Sequence, residues 1–189
     1  EALNEDVNIA KHVAGIDVII SGHSHTELPK PIVVEGLHAL NDSLTYMLPR
    51  YEKVKISLGV LTQIRINDHN RISTSDTRII RRMVRDQQFR DRGPMATMDI
   101  WADVRRGEEK NIYPYQEDAD TIFNTALPYE LAVLKPYAEP LLESIDKGSV
   151  HYAEARRLLR FLKPFKGIDS SVVPPNSLLR EFIGPDRKK

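Results

Sequence analysis

The chain has 189 residues, no cysteine, and 27 acidic and 27 basic side chains, which give a formal net charge of zero. This length suits one domain or slightly more, and the charge balance gives no overall attraction to nucleic acid or to a membrane. Disulfides and thiolate metal ligands are excluded, and no apolar run approaches the roughly 20 residues that span a bilayer. The chain begins at Glu1 without a basic-then-apolar leader, so we expect a piece of a longer protein or a trimmed form of one.

The first third of the chain predicts one helix followed by several strands. Residues 4–14 have helical spacing, and Gly15 is placed to end that helix. Short apolar runs typical of buried strands follow at residues 17–21, 31–34, 53–58 and 60–66. Apolar strands that are separated by helices predict an α/β sheet.

Residues 73–92 predict an amphipathic helix with arginine along one side. At about 100° per residue, four arginines share a stripe about 100° wide: Arg78, Arg81, Arg82 and Arg85. Apolar side chains occupy the opposite side, and Ser73, Thr74 or Ser75 can cap the helix. Neighbouring like charges cost a helix a few tenths of a kcal/mol each, and an anion such as phosphate would relieve that repulsion. The alternative is a solvated basic face with no ligand.

Beyond Gly93 the sequence predicts a charged loop and then a largely helical region. The loop is expected over residues 101–120 and a short strand over 121–127. Pro128 suits the first turn of a helix, which we expect Pro136 to break.

Two further helices are predicted near the end of the chain. Residues 151–165 have amphipathic spacing, and residues 174–184 contain a final helix with Asn176 as its N-cap and Gly184 just past its end.

The run from Pro31 to Gly184 resembles the C-terminal half of the uridine kinase and phosphoribulokinase family of P-loop kinases. The strings that carry this resemblance are IVVEGLHALND, LTQIRINDHNRISTSDTRIIRRMVRD, VRRGEEKNIYPYQEDADTIFNTALPYELAVLKPYAEPLL and VPPNSLLREFIG. The resemblance implies ATP- and Mg²⁺-dependent transfer of a phosphoryl group to a nucleoside hydroxyl, the 5′-hydroxyl of uridine or cytidine, in a cytoplasmic enzyme. It also implies that the arginine helix leads into a lid over the phosphates.

Specific residues receive roles from this resemblance. Arg78, Arg82 and Arg85 would face the transferring group, with Arg81, Arg90 and Arg92 as weaker candidates, and Glu35 would help to order Mg²⁺. No GxxxxGKS or GxxxxGKT string occurs in the chain, so we expect this chain alone to lack kinase activity, and no catalytic residue is assigned.

Residues 5–32 resemble a different family, the calcineurin-like metallophosphoesterases and among them the 5′-nucleotidases. In that family a strand delivers a GHxH loop to a two-metal centre, which here implies His23 and His25 as ligands of Mn²⁺ or Zn²⁺. The other ligand motifs of the family are missing from the chain, so two histidines alone would bind a divalent ion weakly. A polar loop without a ligand is the alternative.

These observations predict an α/β protein with a partial P-loop-kinase-like parallel sheet followed by a C-terminal helical region. The expected parts are residues 1–30 with the GHSH loop, 31–127 with the kinase-like core, and 128–189 with the helical extension. The expected function is that of a fragment or chimera of a nucleoside kinase, with a nucleotide or nucleoside as partner. A metal-dependent phosphoesterase fragment and a non-enzymatic interaction module, which could form a homo-oligomer, are the alternatives.

Overall fold

A computed structural model describes residues 33–68 and 71–185 of the chain. The helix predicted at 4–14, the strand predicted at 17–21 and the GHSH loop with His23 and His25 lie outside the described residues. Contacts divide the chain into two units, Glu1–Ser57 with Arg105–Ile122, and Leu58–Val104 with Phe123–Lys189. The arginine helix and the hydrophobic core belong to the second unit.

The described elements are mostly helical. In chain order they are β1 (Ile56–Gly59), α1 (Thr74–Phe89), α2 (Pro94–Asp99), α3 (Trp101–Asn111), β2 (Thr121–Asn124), α4 (Glu130–Glu143), α5 (Tyr152–Leu162) and α6 (Arg180–Ile183). Short 3-10 turns occur at Asp42–Leu44, Arg50–Glu52, Tyr113–Tyr115 and Ser170–Val172. Within these described residues, no helix has the length and apolar character that a bilayer crossing requires.

Strands β1 and β2 pair with each other in a small sheet. The amide of Thr121 donates to the carbonyl of Lys55, and the amide of Thr125 donates to that of Gly59 at 2.7 Å. Both strands therefore advance in the same direction, which makes the pair parallel. A mixture of helices with a parallel strand pair agrees with the predicted α/β class.

Several predicted strands are wrong. The described part of the 31–34 run, Val33–Val34, lies outside any strand, and Val33 is 82% exposed. Residues 60–66 form no strand and contribute only an isolated bridge between Arg65 and Arg71. An apolar run becomes a strand only where a neighbouring strand accepts its backbone hydrogen bonds, and the run itself does not reveal such a neighbour.

The charged loop predicted from residue 101 is also wrong over its first half, which forms α3. Oppositely charged side chains one turn apart support this helix, because Arg105 forms ion pairs with Glu108 at 3.5 Å and Glu109 at 3.7 Å. Strand β2 ends at Asn124 rather than Leu127.

Helix α4 runs without interruption through Pro136 and Pro140, so the break predicted at Pro136 is wrong. A proline has no backbone N–H, and it therefore leaves the carbonyl four residues before it without its helical partner. That carbonyl belongs to Ala132, and it accepts a hydrogen bond from the amide of Ile168 at 3.0 Å instead. Because a distant part of the chain satisfies this carbonyl, the helix continues past the proline.

Helix α1 forms where the sequence predicts it, but it ends at Phe89 rather than at residue 92. Ser73 is its N-cap and accepts a hydrogen bond from the amide of Asp76 at 3.2 Å. The predicted apolar side is fully buried, with 2% exposure or less for Ile79, Ile80, Met83 and Val84. This side packs on α4 and α6, while α4 also packs on α5, and Met98 of α2 joins the same core, so five helices share it.

Helix α5 agrees with the predicted amphipathic segment, since Ala155, Leu158 and Leu162 are buried. Helix α6 begins at Arg180 with Leu179 as its N-cap, so the assignment of Asn176 as N-cap is wrong. The prediction for Gly184 is confirmed, because Gly184 ends this helix with a φ of 82°.

Candidate functional site

The arginines of α1 divide into three separate environments. Arg81 is 6% exposed and pairs with Glu130, which is 2% exposed, through an Nε to Oε2 hydrogen bond of 2.7 Å. Its Nη1 and Nη2 atoms also donate to the hydroxyl and the carbonyl of Thr125, at 3.1 and 2.6 Å. Its guanidinium carbon lies 5.1 Å from the ring centroid of Phe182. Most donors of Arg81 are therefore used inside the core.

Arg78 stands against an aromatic ring. Its guanidinium carbon lies 6.0 Å from the ring centroid of Trp101, at the outer limit of a cation–π contact. This contact places the Arg78 guanidinium beside the first residue of α3.

The remaining arginines gather around Asp86, whose side chain is completely buried. Arg82 Nε lies 3.3 Å from Asp86 Oδ2, and Nη2 of Arg85 lies 3.5 Å from Oδ1. Arg90 Nη1 lies 3.4 Å from the same Oδ1, although Arg90 itself is half exposed. We call Arg82, Arg85, Arg90 and Asp86 the arginine cluster.

The turn after α1 brings Arg90 back to this carboxylate. Asp91 adopts a left-handed conformation with φ of 48°, and the amides of Arg90 and Arg92 both donate to the Asp86 carbonyl at 3.0 and 3.2 Å. Both the side chain and the backbone oxygen of Asp86 therefore hold the end of the helix.

The arginine cluster carries excess positive charge. Three guanidinium groups around one carboxylate leave two positive charges, one of which Glu181 partly offsets at the exposed rim, 3.8 Å from Arg85 Nη1. Burial lowers the pKa of Arg82, and the positive charges of Arg85, Arg90 and Arg92 lower it further against the opposing effect of Asp86. Such an environment favours an additional anion.

The ion pairs of the arginine cluster are not completed by full hydrogen bonds. The Nε atoms of Arg82 and Arg85 and the Oδ1 atom of Asp86 are buried and have no hydrogen-bond partner within the described residues. Arg157 of α5 provides a contrast, because it holds both carboxylate oxygens of Asp76 at 2.6 and 2.8 Å. The cluster ion pairs, at 3.3 to 3.5 Å, are longer than this bidentate pair.

The predicted magnesium residue belongs to the other unit. Glu35 is exposed and lies at the start of a turn. The described ranges 33–68 and 71–185 contain no group of three or more histidine, aspartate and glutamate side chains that could hold a metal ion. A built Mg²⁺ site is therefore not found among the described residues.

Asp86 is the residue that the sequence analysis overlooked. It stands four residues after Arg82 and four residues before Arg90, and side chains at this spacing are neighbours on a helix. This double spacing was visible in the sequence and indicates a shared carboxylate. The complete burial of Asp86 depends on the packing of α2, from which Thr97 directs its hydroxyl toward Asp86 Oδ2 at 3.4 Å.

Comparison with known proteins gives no match to a family model, a curated protein or a solved structure.

Proposed function

We propose that this chain is the C-terminal part of a nucleoside kinase, in which the arginine cluster binds the phosphates of the nucleotide. The observation that supports this proposal is the gathering of Arg82, Arg85 and Arg90 around a single carboxylate, with two positive charges in excess. Phosphoryl transfer depends mainly on positioning and on neutralising charge on the phosphate oxygens, which guanidinium groups do well. The sequence resemblance also assigns Arg78 to the phosphate lid, whereas Arg81 has a structural role in our proposal.

The nucleoside substrate and the direction of transfer rest on the sequence resemblance. We propose ATP as donor, Mg²⁺ as its counter-ion, uridine or cytidine as acceptor and the cytoplasm as location. Because the chain contains no GxxxxGK[ST] string to cradle the β- and γ-phosphates, we expect it to bind nucleotide without transferring phosphate.

Titration with ATP at low salt tests the proposal. Arg82→Ala removes one charge-assisted contact and should weaken binding about tenfold, because such contacts contribute about 1.5–3 kcal/mol. Raising the salt to about 0.2 M should weaken the binding of the parent as well, since screening acts on these charges. The matched control is Arg156→Ala, an exposed arginine on α5, which should bind like the parent.

Equal affinities for the parent and Arg82→Ala would contradict the proposal. A loss of the same size in Arg156→Ala would show that only the overall charge matters.

A metal-dependent phosphoesterase remains a second proposal, favoured by the Gly22-His23-Ser24-His25 sequence. It predicts uptake of Mn²⁺ or Zn²⁺ that is lost in the His23→Ala, His25→Ala double variant, because neutral imidazoles are the proposed ligands. Elemental analysis after dialysis measures this uptake. Finding no metal in the parent would argue against this function without affecting the kinase proposal.

A further inference from the structure

Asp86 is unusual because it is a fully buried carboxylate shared by several arginines. Every charged group that faces it is basic: Arg82 and Arg85 from α1, and Arg90 from the turn beyond the helix. The only other polar side chain at its oxygens is the Thr97 hydroxyl of α2. These statements concern the described residues 33–68 and 71–185.

The three guanidinium groups would repel one another without this carboxylate. Arginine side chains are long and flexible, and exposed ones separate readily when nothing holds them. The buried negative charge of Asp86 draws all three toward one point at distances of 3.3 to 3.5 Å. Asp86 belongs to α1, whose apolar side is packed in the core. The position of its carboxylate is therefore fixed by the core.

We propose that Asp86 is a positioning residue, which holds Arg82, Arg85 and Arg90 in the arrangement that receives a terminal, doubly charged phosphate group. This inference rests on the proposed function, because it names the part of the nucleotide that the cluster binds. The excess of two positive charges, which Glu181 offsets only in part at the exposed rim, favours a dianion over the single charge of a phosphodiester. Arg90, whose side chain is 49% exposed, gives an incoming phosphate group access to the cluster.

Asp86→Asn gives a test in which charge and position predict opposite results. The substitution adds one net positive charge to the cluster, so simple electrostatics predicts tighter binding of an anion. Our proposal predicts that affinity for inorganic tripolyphosphate falls about tenfold, since the arginines no longer gather. Asp86→Glu should recover part of the affinity because it restores the charge one methylene farther out. Unchanged or tighter binding by Asp86→Asn would overturn the proposal.

A second measurement separates this inference from the proposed function. Unfolding by urea is compared for Asp86→Asn, Arg90→Ala and the double variant. If Asp86 and Arg90 interact, the shift of the unfolding midpoint in the double variant will differ from the sum of the two single shifts. Additive shifts would overturn the positioning role. If the parent binds no tripolyphosphate while the shifts are non-additive, the proposed function fails and the gathering of arginines around Asp86 stands.

Thr97→Val covers the case in which Asp86→Asn does not fold. This variant keeps the shape of the side chain but removes the hydroxyl that lies 3.4 Å from Asp86 Oδ2. We expect a smaller loss of tripolyphosphate affinity, about threefold, because one neutral hydrogen bond is worth less than a charged one. An affinity equal to that of the parent would contradict the positioning role.

Discussion

Arg81 and Glu130 show how one residue of a basic stripe can serve the core. Both side chains are almost completely buried, and burial raises the pKa of Glu130 although the neighbouring Arg81 opposes that shift. The cost of burying the two charges offsets much of their attraction, so the pair does not imply a large net stabilisation. Once both are buried, however, each charge requires the other.

The first prediction concerns the loss of one partner of this buried pair. Glu130→Gln should lower the free energy of unfolding by about 3 kcal/mol, because it leaves the Arg81 charge buried without a counter-charge. Urea denaturation measures this change. Glu143→Gln, at an exposed position of the same helix, is the control and should change stability by less than about 0.5 kcal/mol. Similar losses in both variants would show that the pair has no special role.

A second prediction concerns stability in acid. A hydrogen bond from Arg50, and then one from the Lys55 amide at 2.7 Å, lower the pKa of Asp120. A lowered folded pKa means that the stabilisation is present above the ordinary value, about 3.9, and is lost as pH falls below it. Asp120→Asn should therefore lose less stability than the parent between about pH 4 and pH 2.

Thermal unfolding as a function of pH checks this expectation. Asp68→Asn, which removes an exposed carboxylate, should retain the acid sensitivity of the parent. Parallel curves for Asp120→Asn and the parent would contradict the prediction.

At the scale of elements, the end of α1 depends on one unfavourable backbone conformation. Asp91 has φ of 48°, a region that costs most L-residues about 1–2 kcal/mol and that glycine adopts freely. Asp91→Gly should therefore stabilise the protein, by about 0.5–1 kcal/mol after the greater entropy of the unfolded glycine chain is subtracted.

Gly184→Ala gives the complementary measurement in a urea titration. Gly184 has φ of 82°, and an added Cβ would meet only ordinary contact with Phe89 at 3.5 Å, so any loss reflects the backbone. A loss of about 1–2 kcal/mol is expected. No gain in Asp91→Gly would indicate that the Asp91 side chain compensates for its conformation.

Elements supported by local signals were predicted well. The cap at Ser73, the apolar side of α1 and the glycine after α6 each act within a few residues, so the sequence displays them directly. Helix α4 was misjudged because the partner of the Ala132 carbonyl, the Ile168 amide, is 36 positions away, the difference between 168 and 132. Helix α3 was misjudged because it carries charge pairs one turn apart and shows no apolar stripe.

At the scale of the whole molecule, the sequence predicted which arginines share the helix but not how they divide between the core and the arginine cluster. The 100° rule placed Arg78, Arg81, Arg82 and Arg85 on one stripe, and all of them do lie on α1. It could not show that Glu130 and Thr125, from a later part of the chain, would withdraw Arg81 into the core. Long side chains reach partners that helical spacing alone does not identify.

The balance of charge gives a prediction for the whole chain. Net charge is zero and the sequence pI is about 7.3, so near this pH no long-range repulsion separates two copies. Several large apolar side chains are also exposed on the strands, including Ile56, Leu58, Ile122 and Phe123. We expect attraction between copies to be greatest near pH 7.3 at low salt.

Light scattering at several pH values and concentrations measures this attraction. Weaker attraction near pH 7.3 than at pH values about two units away would contradict the prediction. A clean monomer at all concentrations would also argue against an oligomeric interaction module.

The hydrogen bond between the Ala132 carbonyl and the Ile168 amide has a consequence for how the C-terminal region opens. Because α4 relies on this bond next to Pro136, the segment around Ile168 cannot detach without weakening the helix. In deuterated water, the Ile168 amide should therefore exchange as slowly as the central amides of α4, although Ile168 itself is exposed. A surface segment would then report, through its exchange rate, the cooperative opening of the helix beneath it.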